Sequence, residues 1–180
     1  MNKVSYEITP NPATMKFLLH RSVTEEGFDC PTAQDAERSP LASKIFGFPW
    51  TSSVYVGSDF ITVTKQDWVD WELLAHPLSG LIQEHLDSNE PVVVDFTPVV
   101  EDENDTPIVR NIKSVLNREI RPAVALDGGD IVFYKYEDNI LYIRMKGACS
   151  GCPSSQVTLK QGIEARMVEL FPEIKEVVAV

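Results

Sequence analysis

Basic side chains are scarce in this 180-residue chain: 16 Lys and Arg stand against 27 Asp and Glu, a formal net charge of −11. Phosphate recognition needs concentrated cations, so this balance argues against nucleic acid as a partner. Long apolar runs are also missing. None approaches the ~20 residues of a membrane-spanning helix, and no membrane association is expected. The opening stretch, Met1 to Glu7, lacks the apolar core of a signal peptide and the Arg-rich face of an organelle leader. Three cysteines are too few for a secreted disulfide framework. No Ser-His-Asp set, Walker loop or dinucleotide fingerprint occurs. These absences point to a reducing cytoplasm, or to the mitochondrial matrix if a leader has been removed.

Apolar residues make up 43% of the chain, enough for real cores, and its length allows one medium domain or two small ones. Charge separates the parts. Residues 1–95 carry 6 basic and 14 acidic side chains, residues 96–106 four acids and no base, and residues 107–180 ten basic and nine acidic. The run from Pro98 to Thr106 repels itself and has little to bury, so 96–106 reads as an acidic flexible linker. It divides two small α+β domains, 1–95 and 107–180.

In the front domain, Val4, Tyr6 and Ile8 alternate as in a half-buried strand, and Met15 to Leu19 forms a second strand after Pro10-Asn11-Pro12. Phe28 to Cys30 is a short strand. Ser39-Pro40 reads as an N-cap with proline at the first helical position. Val54–Val56 and Phe60–Val63 flank the turn Gly57-Ser58-Asp59, and a helix is expected from about Pro77 to Leu86. Trp68 and Trp71 read as packing or domain-contact residues. In the tail domain, Ile108, Ile112, Val115, Leu116 and Ile120 line a helix that bends at Pro122. The turn Asp127-Gly128-Gly129-Asp130 ends it. Two strands, a helix from Pro153 and a last strand at Val177–Val180 follow, giving the order helix-strand-strand-helix-strand.

Cys149 and Cys152 lie where the strand pattern stops and the second tail helix begins, in Gly147-Ala148-Cys149-Ser150-Gly151-Cys152-Pro153. Free N–H groups and the dipole at a helix start favour thiolate. Several readings of the pair are open. A dithiol oxidoreductase uses this spacing, although only 28 residues follow Cys152 here. Structural zinc wants four ligands, while Cys30, His20, His76 and His85 all belong to the front domain. Two copies around a two-fold axis bring four thiolates together, which suits an iron–sulfur cluster. Two inert buried thiols are the plainest reading; the glycine between them and the helix start beyond argue instead for an exposed loop. Lys146, Lys160 and Arg144 add positive charge nearby, as cluster counter-charge or as ordinary surface. Asp127 and Asp130 read as turn residues rather than metal ligands.

The chain resembles the Nfu-type, or NifU-like, family of iron–sulfur scaffold and carrier proteins over almost its whole length. The resembling stretches of the tail are Ile120-Arg121-Pro122-Ala123-Val124, Asp127-Gly128-Gly129-Asp130-Ile131 and Gly147 to Ser155, followed by Val157-Thr158-Leu159-Lys160 and Gly162-Ile163-Glu164. Those of the front are Pro10-Asn11-Pro12 with Lys16-Phe17, Ala36 to Ala42, and Asp59 to Lys65. The resemblance implies a non-enzymatic protein that holds a [4Fe-4S] cluster between two subunits of a homodimer through Cys149 and Cys152. It implies upstream cluster donors and apo iron–sulfur client proteins as partners, and a front domain that helps recognise them. Cys30 matches no cluster-binding position and reads as a small buried hydrophobe.

Overall fold

A computed structural model of the chain describes residues 3–94, 104–150 and 153–180, the last of these from residue 156 for side chains. The chain divides into two units, Met1–Thr97 and Pro98–Val180. The expected linker 96–106 lies largely outside the described residues. Both units mix helix and sheet, so the α+β class holds.

The front unit is a five-stranded antiparallel sheet in the order β1-β2-β5-β4-β3. Its strands are β1 (Ser5–Ile8), β2 (Thr14–Leu18), β3 (Phe28–Cys30), β4 (Thr51–Val56) and β5 (Phe60–Lys65). Side chains alternate across a strand, so register decides which residues share a face. Met15 pairs with Val63, which pairs with Val54; Phe17 pairs with Ile61, which pairs with Val56. These two apolar rows meet Leu41 and Ile45 of α1 (Pro40–Phe46) and Leu78, Ile82 and Leu86 of α2 (Trp71–Asp87) in one core. Ser39 caps α1 as expected, its Oγ accepting from Ala42 N at 3.1 Å. The same hydroxyl donates to Val92 O at 2.5 Å, which ties the end of the unit to the start of α1.

Three expectations change here. β1 is not half-buried: it is the sheet edge, all four residues are exposed, and Ile8 is 87% accessible. The second helix starts at Trp71 with Asp70 before it, not at Pro77. A proline inside a helix removes only the bond to the carbonyl four residues back. Leu73 and Pro77 are both exposed, where water can satisfy that carbonyl. Trp71 packs against Phe17 and Trp50 at the core margin, whereas Trp68 is 68% exposed and packs no core.

In the tail unit, α3 (Pro107–Val115) runs through a π-helical turn (Leu116–Ile120) into α4 (Arg121–Leu126). The bend expected near Pro122 is this wide turn, in which Arg121 N bonds to Leu116 O, five residues back. It has a packing consequence. Ile112, Leu116, Ile120 and Val124 recur every fourth residue and are all buried. An α-helix of 3.6 residues per turn would rotate each about 40° past the last, and the wider turn returns Val124 to the buried side. Leu126 does not continue that face and is 75% exposed. β6 (Gly129–Glu137) and β7 (Ile140–Gly147) form a hairpin whose turn places Asp138 and Asn139 at φ 52° and 64°. α5 (Pro153–Leu170) then crosses to β8 (Glu176–Ala179), which lies parallel to β7. Ile131, Leu141, Ile143, Met145 and Val177 from the sheet meet Ile163 and Met167 from α5 and the buried row of the first helix. This core anchors the strand and the helix that bracket the thiol motif.

Candidate metal centre

The thiol motif follows directly from β7. Gly129, the first residue of β6, stands opposite Gly147, the last of β7. Gly147 has φ 64°, and beyond it the chain folds back over β6. Ala148 N donates to Gly128 O at 3.1 Å and Ser150 N to Gly147 O at 3.0 Å. The loop thereby places Cys149 inside the unit's apolar cluster at 4% exposure. The expectation of two exposed thiols therefore fails for Cys149. The cause is local: the missing side chain of Gly129 leaves a notch at the end of the hairpin, and the sulfur occupies it. Cys152 lies outside the described residues, while the α5 that it precedes begins at Pro153, as the sequence predicts.

The turn under the loop is held by charge. Arg121 donates through Nε and Nη2 to the two carboxylate oxygens of Asp130, both at 2.8 Å, and through Nη1 to Asn117 Oδ1 at 3.1 Å. Asp130 is 5% exposed and also accepts from Ile131 N at 2.8 Å. A bidentate guanidinium with a backbone donor satisfies a buried carboxylate, so Asp130 braces the start of α4 against the start of β6. Its reading as a turn residue stands, but its partner nine residues back is not visible in the sequence spacing. Among the described residues no group of three or more His, Cys, Asp or Glu is arranged to hold a metal ion.

The nearby cations divide. Arg144 stacks its guanidinium over the Tyr134 ring at 4.8 Å, and Lys160 lies 3.5 Å from Glu176. Both are engaged on the tail unit's own surface. Lys146 stands opposite Asp130 in the β6–β7 register. Cys30 belongs elsewhere: it is fully buried in the front core, opposite Val54. Burial, with Asp29 and Asp35 adding to it, pushes its thiol up to about 12. That makes it a neutral, unreactive group at physiological pH.

Comparison with known proteins now bears on this architecture. The NifU-like domain model matches residues 112–178, and the model described as scaffold protein Nfu/NifU N terminal matches residues 4–89. A human protein, "NFU1 iron-sulfur cluster scaffold homolog, mitochondrial", is 40% identical over 173 residues, covering 94% of this chain and 68% of its own length. The chain belongs to the Nfu family. An Arabidopsis thaliana member, "NifU-like protein 5, mitochondrial", is 40% identical over 97% of this chain and 66% of its own length. The chain thus spans about two thirds of these Nfu relatives. The solution structure of a NifU-like protein from Saccharomyces cerevisiae covers 53% of this chain and 92% of that one, with 24% identity and a TM-score of 0.47.

Two residues of this Nfu chain escaped sequence reasoning. Gly129 was legible as part of a turn but not as the floor beneath a cysteine 20 positions later. Arg121 was legible as part of a family stretch but not as the clamp on Asp130. Both roles arise between elements, where no local pattern reports them.

Proposed function

We propose that this protein is a non-catalytic carrier of a [4Fe-4S] cluster, held between two copies of the chain by Cys149 and Cys152 of each. The observation that carries the reading is the ligand supply. An ordinary cubane takes four thiolates. The chain has three cysteines, and Cys30 is buried in the other unit's core with its thiol pushed up to about 12. Two thiolates per chain then call for a second chain. Family membership and the iron–sulfur scaffold names of relatives support the choice of cargo. Delivery is ligand exchange: client thiolates replace those of Cys149 and Cys152 on iron, with no change of oxidation state. Because the dimer is held mainly by shared cargo, release also separates the copies. Upstream donors and apo iron–sulfur clients are the partners, and the acidic front unit is assigned their recognition. A reducing compartment, whether the cytoplasm or the matrix of the mitochondrion, the organelle named for the relatives, keeps the pair available.

Anaerobic reconstitution with iron and sulfide tests this. About four irons per dimer are expected, with transfer to a [4Fe-4S]-requiring apo-enzyme in the presence of an iron chelator. A holo-protein that stays monomeric, or that retains zinc instead, sinks the reading.

One observation favours a second reading. β7, the thiol loop, α5 and the parallel β8 form a β-α-β unit with the pair at the helix start, the local arrangement of dithiol oxidoreductases. The burial of Cys149 weighs against it, since exchange needs an accessible attacking thiolate. Catalytic insulin-disulfide reduction without protected cluster transfer would decide for the redox reading.

A further inference from the structure

Gly128 and Gly129 are adjacent but answer different demands. Gly128 has φ 77°, a conformation that a side chain disfavours. Gly129 is not among the left-handed positions; its constraint is space. A Cβ added there would stand 3.0 Å from Cys149 Cβ, 3.1 Å from Cys149 N, and closer still to Cys149 Sγ. Real Cβ atoms do not approach a sulfur that closely, and the contacts to Cys149 Cβ and backbone N are themselves tighter than most real ones. In the same unit, a Cβ on Gly162 meets nothing within 4 Å.

We infer that Gly129 is a positioning residue for Cys149, its missing side chain forming the seat that holds the sulfur inside the tail unit. This deepens the carrier reading and rests on it for its purpose: the seat shelters a ligand thiol from oxidants and stray metal, and cargo loading must draw it out. The seat itself is a property of the chain alone. Four features build it together: the facing pair Gly129 and Gly147, the backbone bond from Ala148 N to Gly128 O, the near-complete burial of Cys149, and the brace of Arg121 on Asp130 immediately after Gly129.

The test is residue-resolved alkylation of the metal-free full chain, read by mass spectrometry, which requires no cargo. In the wild type, Cys149 should label with iodoacetamide slowly. Gly129→Ala should raise its rate about tenfold or more, because a displaced thiol is attacked without prior opening. Cys30 should be unchanged, and Gly162→Ala should behave as wild type. Rapid labelling of Cys149 in the wild type, or no acceleration in Gly129→Ala, overturns the inference. Should Gly129→Ala unfold the tail unit, the double variant Gly129→Ala/Cys149→Ala decides. Removing the sulfur should recover a large part of the stability lost, measured by thermal unfolding. An equal loss with and without the sulfur overturns the inference. A chain that labels as expected yet never retains iron instead overturns the carrier reading and leaves the seat standing.

Discussion

Cys30 and Cys149 are both buried, one in each unit, yet they are different chemical objects. Cys30 sits within strand β3, paired to Val54, with Asp29 and Asp35 opposing its ionisation. Reaching it means breaking a sheet. Cys149 sits in a three-residue fold-back after β7, seated on a glycine and followed by the start of α5. Reaching it means moving a loop. Solvent exposure does not separate the structural thiol from the proposed cluster ligand here. What separates them is the free energy of the smallest opening that frees the sulfur, which is large for a paired strand and small for a loop.

The sharpest way to break this comparison is to remove each thiol in turn. Cys149→Ser and Cys152→Ser should each abolish stable cluster retention and, with it, the cargo-bridged dimer, as read by iron and sulfide analysis and anaerobic sizing. Either variant holding a full complement would remove that residue from the ligand set. Next in size is the brace beneath the loop. Asp130→Ala strands the Arg121 guanidinium beside a partly buried site, and a loss of about 3 kcal/mol in the tail unit's stability is expected from denaturant unfolding. A change under about 0.5 kcal/mol would show that the pair is only a surface contact.

Cys30→Ala should cost about 1 kcal/mol for the lost sulfur volume while leaving iron content at the wild-type level. Cluster loss without unfolding would promote Cys30 to a functional residue and erase the contrast. The smallest effect concerns pH in the front unit. His85 is buried, its Nδ1 3.1 Å from Lys44 Nζ and its Nε2 3.2 Å from Pro91 O. With the lysine donating, the neutral ring accepts at Nδ1 and donates from Nε2. Burial lowers its pKa below the ordinary 6.5, with Lys44 and Arg21 acting in the same direction and Glu90 and the Pro91 bond opposing. The unfolded chain therefore binds the proton more readily. This contribution to stability is complete above about pH 6.5 and declines as the pH falls below it. Thermal unfolding at pH 7.5 and 5.5 should show that decline, and His85→Gln should flatten part of it.

Much of this architecture was legible in local pattern. Ser39-Pro40 announced a capped helix and Pro153 the start of α5, because each feature is set by the backbone preferences of a few neighbours. The errors were made where a local signal met a longer-range one. Pro77 looked like a helix start because proline favours that position, and only the packing of Ala75 and Leu78 with the turn before them shows the helix continuing through it. The glycine between the two thiols looked like a sign of exposure, yet Cys149 is buried, and a different glycine, Gly129, is what lets its sulfur approach the backbone.

The sequence by itself determined the α+β class, the order of the elements, the family, and the pair of cysteines at the mouth of a helix. The class, the order and the cysteine pair are written in periodicity, punctuation residues and spacing, which act over a few residues at a time; the family is carried by the resembling motif stretches. Tertiary structure alone decided that Cys149 is seated on Gly129, that Arg121 grips Asp130, and that four-residue spacing in the first tail helix is reconciled with a flat core by a π-helical turn. Each is a match between surfaces brought together by chain closure. Its free energy depends on distances that no single segment contains.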